Sequence, residues 1–516
     1  MKKSILCFSC VFLVIGIILA QPKMQFTVSM PQAAKGRFHI SLEAAGFNKD
    51  SIVLKMPNWM PGYYQLMNYA NTVDSLIAVN QQGKALPITK INSNSWLIVA
   101  PKYSAFRVNY QIKTNQKFVA NSFIDSAHAY IVSANSFFYV AAMLHLPVQL
   151  KINSADQPRF KKIATGLAMV KGKTNVFTAP NFDILYDCPI LIGDLKELPA
   201  FTVRGVPHRF IGYNMGSFDE VLFMNTLQKA IAQGVQIIDH IPFKEYTFIG
   251  IGPGRGGIEH LNNTTVSFSG NDLKTPADIN RIMNFLSHEY FHHYNVKRIR
   301  PVELGPFDYD KGSKTTQLWI SEGLSVYFEY LMVKRAKIVD RTMFLNNLAN
   351  NITAHENNPG KAHQSLLQAS YNTWADGPFG TSGADKNKAI SYYDKGPIVG
   401  MLLDLAIRNA SNNQFSLDHV MRVMYKTYYQ QLQRGFTDAE FQEACEQMAG
   451  KSLTTEFEYI STTKELDYQK YLGYAGLTLS SAEVEKGGQK KLQYKIDVLP
   501  SLKPDQMAIL NSWLGD

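Results

Sequence analysis

Between Ser287 and Tyr294 the chain reads SHEYFHHY, so His288 and His292 stand four residues apart with Glu289 directly after the first. On an α-helix, positions four apart lie one turn apart on one face, so two imidazoles at this spacing can converge on a single ion at ~2.0–2.1 Å. A carboxylate beside the first ligand reaches a water polarised by that ion rather than the ion itself, which is where a general base belongs. His293 points about 100° away from that face and stays outside the set. The competing reading, a polar face on an aromatic-rich helix, does not explain why the histidines flank an acid in the order HExxH.

Two histidines leave a zinc site incomplete, because catalytic zinc takes three protein ligands and keeps one open position. A carboxylate is the natural third donor, and Glu303, Glu322 and Glu329 all follow within reach of the motif. Glu322, in QLWISEGLSVYFEY, sits on an apolar, aromatic helix where an unpaired charge is costly, although an exposed helix start would also suit it. Spacing alone leaves the three open.

Upstream, GIGPGRGGIEH places Gly252, Gly254 and Gly257 in G-x-G-x-x-G spacing after the strand-like YTFIG. A dinucleotide site would need a helix to follow, and LNNTTVSFSG reads as a strand instead. The glycines, Gly256 and Gly257 above all, fit close approach of a substrate backbone to an edge strand. The basic tail of the motif, Lys297, Arg298 and Arg300, either pairs with buried carboxylates behind the ligands or faces solvent, and carries no catalytic role.

These residues need elements to hold them. Thr275 and Pro276 make a helix start with Asp278 in its first turn, and Pro301 ends whatever follows. From about residue 22 to 200, runs such as RFHISLEAAG, SWLIVAP and FRVNYQIKT alternate apolar with polar and predict antiparallel strands. After about residue 215 the periodicity turns helical, as in SFDEVLFMNTLQKAIAQGVQIIDH and GPIVGMLLDLAIRNA. The fold class expected is α+β multidomain, an N-terminal antiparallel β domain followed by a mainly helical catalytic domain.

With 516 residues, 46% of them hydrophobic and 18% charged, the chain has material for two or three globular units. Lys2 and Lys3 followed by the apolar run Ile5–Ala20 form a secretory signal pattern, too short to span a bilayer. The divisions expected are 1–20 signal peptide, 21–200 β domain, 201–465 catalytic domain and 466–516 a short C-terminal segment. Such a chain is exported to the periplasm or the extracellular space, with no stable membrane span after cleavage. Cys7 and Cys10 leave with the signal, and Cys188 and Cys445 are expected to be separate buried thiols. The net charge of +10 is spread along the chain, and the absence of dense basic runs apart from VKRIR argues against nucleic-acid binding.

HEYFHHYNVKRIRP, LGPFDY and LWISEGLSVYF, together with MPNWMPGYYQLMNYANTV, FDILYDCPILIGD, GGIEHLNNTTV and SYYDKGPIVGMLLDLAIR, resemble the glycyl aminopeptidase family of gluzincin-type zinc metallopeptidases. The resemblance covers about residues 25 to 480. It implies a thermolysin-like catalytic domain, one zinc ion held by His288, His292 and Glu322, Glu289 as base, and peptide substrates with small first residues such as Gly or Ala. It also implies that Glu259 holds the free α-amine of the substrate, where the alternative is a structural glutamate paired with Arg255. Tyr393, or its neighbour Tyr392, would steady the oxyanion. Two departures stand out: Tyr294 replaces a usual tryptophan, an aromatic exchange expected to preserve packing and to reshape the pocket wall, and the residues after 480 do not suffice for the usual PDZ domain. Within that last stretch, KKLQYKIDVLPSLKPDQMAIL reads as one strand and a short helix.

Other readings remain. An endopeptidase would use the same groups, with Glu259 on the substrate backbone. A peptide-binding protein with structural zinc would need a closed fourth position, against which the placement of Glu289 argues. An esterase or epoxide hydrolase could use the same metal and oxyanion donor.

Overall fold

The computed structural model describes residues 22–114, 116–154 and 157–516; the expected signal segment, with Cys7 and Cys10, lies outside them. In Arg37–Ala45 the even residues Phe38, Ile40, Leu42 and Ala44 are buried, the period-2 pattern of a half-buried strand. That strand lies inside a seven-stranded sheet whose order is Ala168–Met169, Val176–Ala179, Val148–Asn153, Lys23–Ser29, Arg37–Ala45, Phe106–Lys113 and Val73–Asn80. Pairing is antiparallel except between Lys23–Ser29 and Val148–Asn153, which run parallel with Met24 opposite Val148. Two four-stranded antiparallel sheets complete this N-terminal unit.

Apolar contacts pass to a second cluster between Leu195 and Leu198. The second unit opens with a mixed sheet that the helical periodicity did not announce. Val206–Gly212, Tyr246–Gly250 and Asn263–Val266 run parallel, and Gly257–Glu259 pairs antiparallel on the edge. Ile211, Ile249 and Ile258 from this sheet join the N-terminal cluster, so one of its faces packs on the β unit. The other face carries the helices, chief among them Glu220–Ile238, Pro276–Phe291, Leu324–Arg335 and Tyr392–Ala410. No helix among the described residues is long and apolar enough to cross a membrane.

The histidine helix, Pro276–Phe291, begins as expected. Thr275 and Asp278 form a reciprocal capping box, with Pro276 in the first turn. It ends well before Pro301: the Arg298 guanidinium donates to the carbonyl of His293 at 2.6 Å and to that of Leu261 at 3.0 Å, so the chain turns back on itself directly after His292. His292 is the C-terminal cap and keeps right-handed helical dihedrals, φ −60° and ψ −25°, so the one-turn offset from His288 survives.

The strand and the short helix expected in KKLQYKIDVLPSLKPDQMAIL are present, and a strand before them, Leu477–Lys486, was not expected. The C-terminal stretch is a two-stranded hairpin, Leu477–Lys486 with Gln489–Val498, followed by the helix Pro504–Leu514. Gly487 and Gly488, at φ 61° and 72°, supply the tight turn that pairs Leu477–Lys486 with the expected strand. The helix inserts Trp513 into the core, where its indole N–H donates to Tyr327 Oη at 2.7 Å and Tyr327 donates to Asp404 at 2.6 Å. Cys188 and Cys445 are free and buried in different clusters. Trp513→Ala is therefore expected to lower unfolding free energy by about 3–5 kcal/mol, read as a lower urea midpoint at unchanged slope.

Candidate metal centre

His288 Nε2 and His292 Nε2 lie 2.9 Å apart, and Glu322 Oε2 lies 3.5 Å from the first and 3.3 Å from the second. Donors held at ~2.1 Å around a tetrahedral ion stand about 3.4 Å from one another, so the carboxylate is already at coordination spacing from both rings. All three side chains are buried, and two imidazoles with one carboxylate are a catalytic zinc donor set. Of the other carboxylates considered, Glu329 stands behind the ligand set with its Oε2 3.0 Å from His288 Nδ1, and Glu303 is exposed and accepts from Thr315. Glu322 is the one that faces both Nε2 atoms.

Local sequence explains how Glu322 gets there. It lies on a π-helical turn, Trp319–Gly323, at the start of Leu324–Arg335. A Cβ on Gly323 would lie 2.7 Å from the Cα of Gly396, so the two helices touch backbone to backbone only because both positions are glycine. The same contact brings Tyr393 alongside, and its hydroxyl donates to Glu322 Oε2 at 2.8 Å. Tyr392 instead bonds with Thr373 Oγ1 at 3.1 Å.

His292 Nδ1 donates to the Asn295 carbonyl at 2.8 Å, which fixes the tautomer that leaves Nε2 free to bind a metal. The Asn295 side chain in turn donates to the Ile320 carbonyl at 2.8 Å, tying the first two ligands to the third. Burial alone would lower His288, but the carboxylates of Glu322 and Glu329 outweigh it and hold the imidazole well above its ordinary value. Burial would likewise raise Glu322, yet His292 and His288 hold it below the usual carboxylate range. An ion entering here must displace the proton that those acids favour on His288.

Glu289 is buried beside the cluster, and its Oε2 accepts from Thr264 Oγ1 at 3.3 Å. Burial lifts its carboxyl to about 7 against the pull of both imidazoles. The edge strand passes over it so closely that a Cβ on Gly257 would lie 2.4 Å from Glu289 Oε1, and Gly256 takes φ 88° next to it. Glu259, at the far end of the strand, is buried with Oε1 unpartnered. Its nearest cation is Lys297 at 3.9 Å, not Arg255. Lys297 also pairs with Asp187 at 3.0 Å; burial would raise that acid, but Lys297 and His260 bring it down to about 2. Of the basic tail, Lys297 alone pairs with carboxylates among the described residues, Asp187 and the buried Glu259, while Arg298 is buried on backbone carbonyls.

Tyr294 is fully buried among Tyr290, Phe291 and Tyr425 and donates to the His240 carbonyl, so the exchange for tryptophan falls in the core rather than on the pocket wall. Asn295, Thr264, Asp187 and the orienting role of Glu329 escaped the sequence reading. Their partners come from other elements, and only Asn295, three residues past His292, left a local signal.

Two outcomes follow from this geometry. Glu329→Gln should weaken zinc binding about 10–100-fold in chelator competition, because His288 loses its charged orienting partner. Gly257→Ala should retain zinc yet lose about 10²-fold in turnover, because the new methyl displaces the Glu289 carboxylate.

Residues 25–194 match the Peptidase M61 N-terminal domain, and residues 281–399 match the M61 glycyl aminopeptidase domain. No curated protein sequence matches the chain. The crystal structure of an aminopeptidase N family protein from Idiomarina loihiensis is similar over 89% of this chain and 79% of that one, at 25% identity and a TM-score of 0.83. Legionella pneumophila aminopeptidase A (13% identity, TM-score 0.54, 93% of this chain and 52% of that one) shares the fold. So does an M1 zinc metallopeptidase from Deinococcus radiodurans (11% identity, TM-score 0.51, 86% and 94%). The two domain matches flank and include the HExxH helix and Glu322, their spans together exceed half of the sequence, and the chain belongs to the M61 glycyl aminopeptidase family of zinc metallopeptidases.

Proposed function

We propose that the chain is an exported aminopeptidase that removes small residues, Gly or Ala, one at a time from the free N-termini of peptides. The observation that carries this reading is the juxtaposition of Glu289 with both the three-ligand cluster and the Gly257 edge strand. Zinc in that cluster supplies Lewis acidity and lowers the pKa of water toward ~7.

The chain's own groups do the rest. The backbone of Gly256 and Gly257 pairs with the extended substrate, as an exposed sheet edge does with a peptide strand. Glu289 takes the proton from the attacking water and delivers it to the departing amine; a buried carboxyl near 7 suits both halves of that task. Tyr393 stays protonated, because burial and then the charge of Glu322 push its ionisation well above the ordinary value, so it serves as hydrogen-bond donor to the oxyanion. Glu259, with one oxygen unpartnered, receives the α-ammonium.

A preference for small first residues has support in the crowding there: a Cβ on Gly62, from the β unit, would lie 2.7 Å from Glu259 Oε2, so little room remains around the amine anchor. Export rests on residues 1–20, and the N-terminus of protein recovered from outside the cytoplasm should begin at Gln21.

The test is hydrolysis of glycyl- and alanyl-arylamides, free and N-acetylated, by the mature chain and its Glu289→Gln variant, with zinc measured in both. Turnover of free substrates by the wild type, a loss of about 10²–10⁴-fold in the variant at equal zinc, and no turnover of acetylated substrates are expected. Equal turnover of acetylated peptides would favour an endopeptidase, and inactivity of both zinc-loaded proteins would favour a structural metal. With the base required in ionised form, kcat/KM should fall as pH decreases, along a limb at or below about 7, since a cation beside Glu289 favours its carboxylate.

A further inference from the structure

A cavity of about 600 Å³ opens beside the metal cluster, lined by Gly257, His288, Glu289 and Tyr393 together with Asn280, Asn284 and Asp394. Its direction relative to the amine anchor is fixed by the edge strand, which runs from Gly257 at this cavity to Glu259 beside Lys297, and Glu259 is not part of the cavity wall. A peptide held by its ammonium at Glu259, with its scissile carbonyl at the metal, must therefore send its following residue into the cavity.

The walls there are polar and unfinished. Asn280 and Asn284 are 9% and 8% exposed, and Oδ1 of each lacks a hydrogen-bond partner. Such buried, unpartnered groups are rare in folded proteins and costly unless a ligand completes them. Asp394 makes no side-chain hydrogen bond or ion pair among the described residues, and burial raises its carboxyl to about 6. The other charges on the wall are already engaged: Arg281 pairs with Asp278 at 2.9 Å, and Glu329 lies 3.0 Å from His288. One wall amide offers the opposite need, Asn347 Nδ2 being an unpartnered donor, but two amide oxygens and a carboxylate outnumber it, so a group with several N–H donors and a positive charge answers most of what the cavity lacks, and its volume suits a long side chain.

We propose that this cavity selects a lysine or arginine on the leaving side of the scissile bond, through Asp394 and the amide oxygens of Asn280 and Asn284. The inference rests on the aminopeptidase reading for its orientation, and its test separates the two. For the zinc-loaded mature chain, kcat/KM is measured on Ala-Arg-amide, Ala-Lys-amide, Ala-citrulline-amide and Ala-Glu-amide; in Glu289→Gln, dissociation constants for the same peptides are measured by calorimetry. Citrulline keeps the length of arginine without its charge. The basic peptides should exceed citrulline about tenfold, with glutamate lowest, and the same order should appear in binding to Glu289→Gln. In Asp394→Asn, and in Asn284→Ala as a second variant, the arginine-to-citrulline ratio should shrink to about twofold at unchanged zinc content.

Cleavage of all four peptides without preference, or with glutamate preferred, would overturn the inference and leave the peptidase reading intact. A ratio that persists in both folded, zinc-loaded variants would overturn it as well. Failure of cleavage with arginine still bound more tightly than citrulline would keep the cavity's selectivity and remove the peptidase reading. Neither cleavage nor discrimination would end both.

Discussion

A carboxylate and two imidazoles buried within 3.5 Å of one another are the arrangement around which this molecule is organised. Taking an ionised carboxylate out of water costs several kcal/mol unless opposite charge meets it. Glu322 is held ionised by the adjoining imidazoles, Glu329 places a second carboxyl group behind His288, and Glu289 and Glu259 bring two more acidic side chains to the same region. Such a concentration of acid in a buried place is stable only with cations supplied to it. Lys297 supplies one from the protein, and a divalent metal supplies the other.

Much of the fold serves to hold these groups at their distances. The Gly323–Gly396 contact lets two helices approach until Glu322 and Tyr393 share a hydrogen bond. Asn295 fastens the end of the histidine helix to the carbonyls of the π-helical turn. The N-terminal β unit takes part directly: Trp59 belongs to the core of the helical unit and donates to the Asp308 carbonyl at 2.6 Å, while Lys55 pairs with Asp310. Through that seam Gly62 reaches Glu259, so the β unit forms one wall around that carboxylate as well as a neighbouring layer.

What could be read from the sequence was whatever follows from local periodicity. His288, Glu289 and His292 are set by one helical turn, the capping box at Thr275 by a three-residue offset, and the strand texture before residue 200 by alternation. Glu322 needed a family resemblance, because its proximity to the histidines is a tertiary fact that a spacing of thirty residues does not encode. The strands Tyr246–Gly250 and Asn263–Val266 were legible as strand-like runs, but not that they join Val206–Gly212 in one parallel sheet, because strand pairing is a tertiary fact that buried strands without alternation do not signal. The hairpin after residue 477 was half missed because its first strand is mostly polar and its turn, Gly487–Gly488, reads equally as a loop. Thr264 and Asp187 were illegible for the plainest reason: a polar residue that meets its partner from another element carries no mark of that in its own neighbourhood.

The most direct test of this account is diffraction at the zinc absorption edge from crystals of the zinc-loaded chain. One ion is expected, with His288 Nε2, His292 Nε2 and a Glu322 oxygen at about 2.0–2.2 Å and a fourth, non-protein oxygen on the side of Glu289. An ion held by Glu329 in place of Glu322, or enclosed by four protein donors, would contradict it.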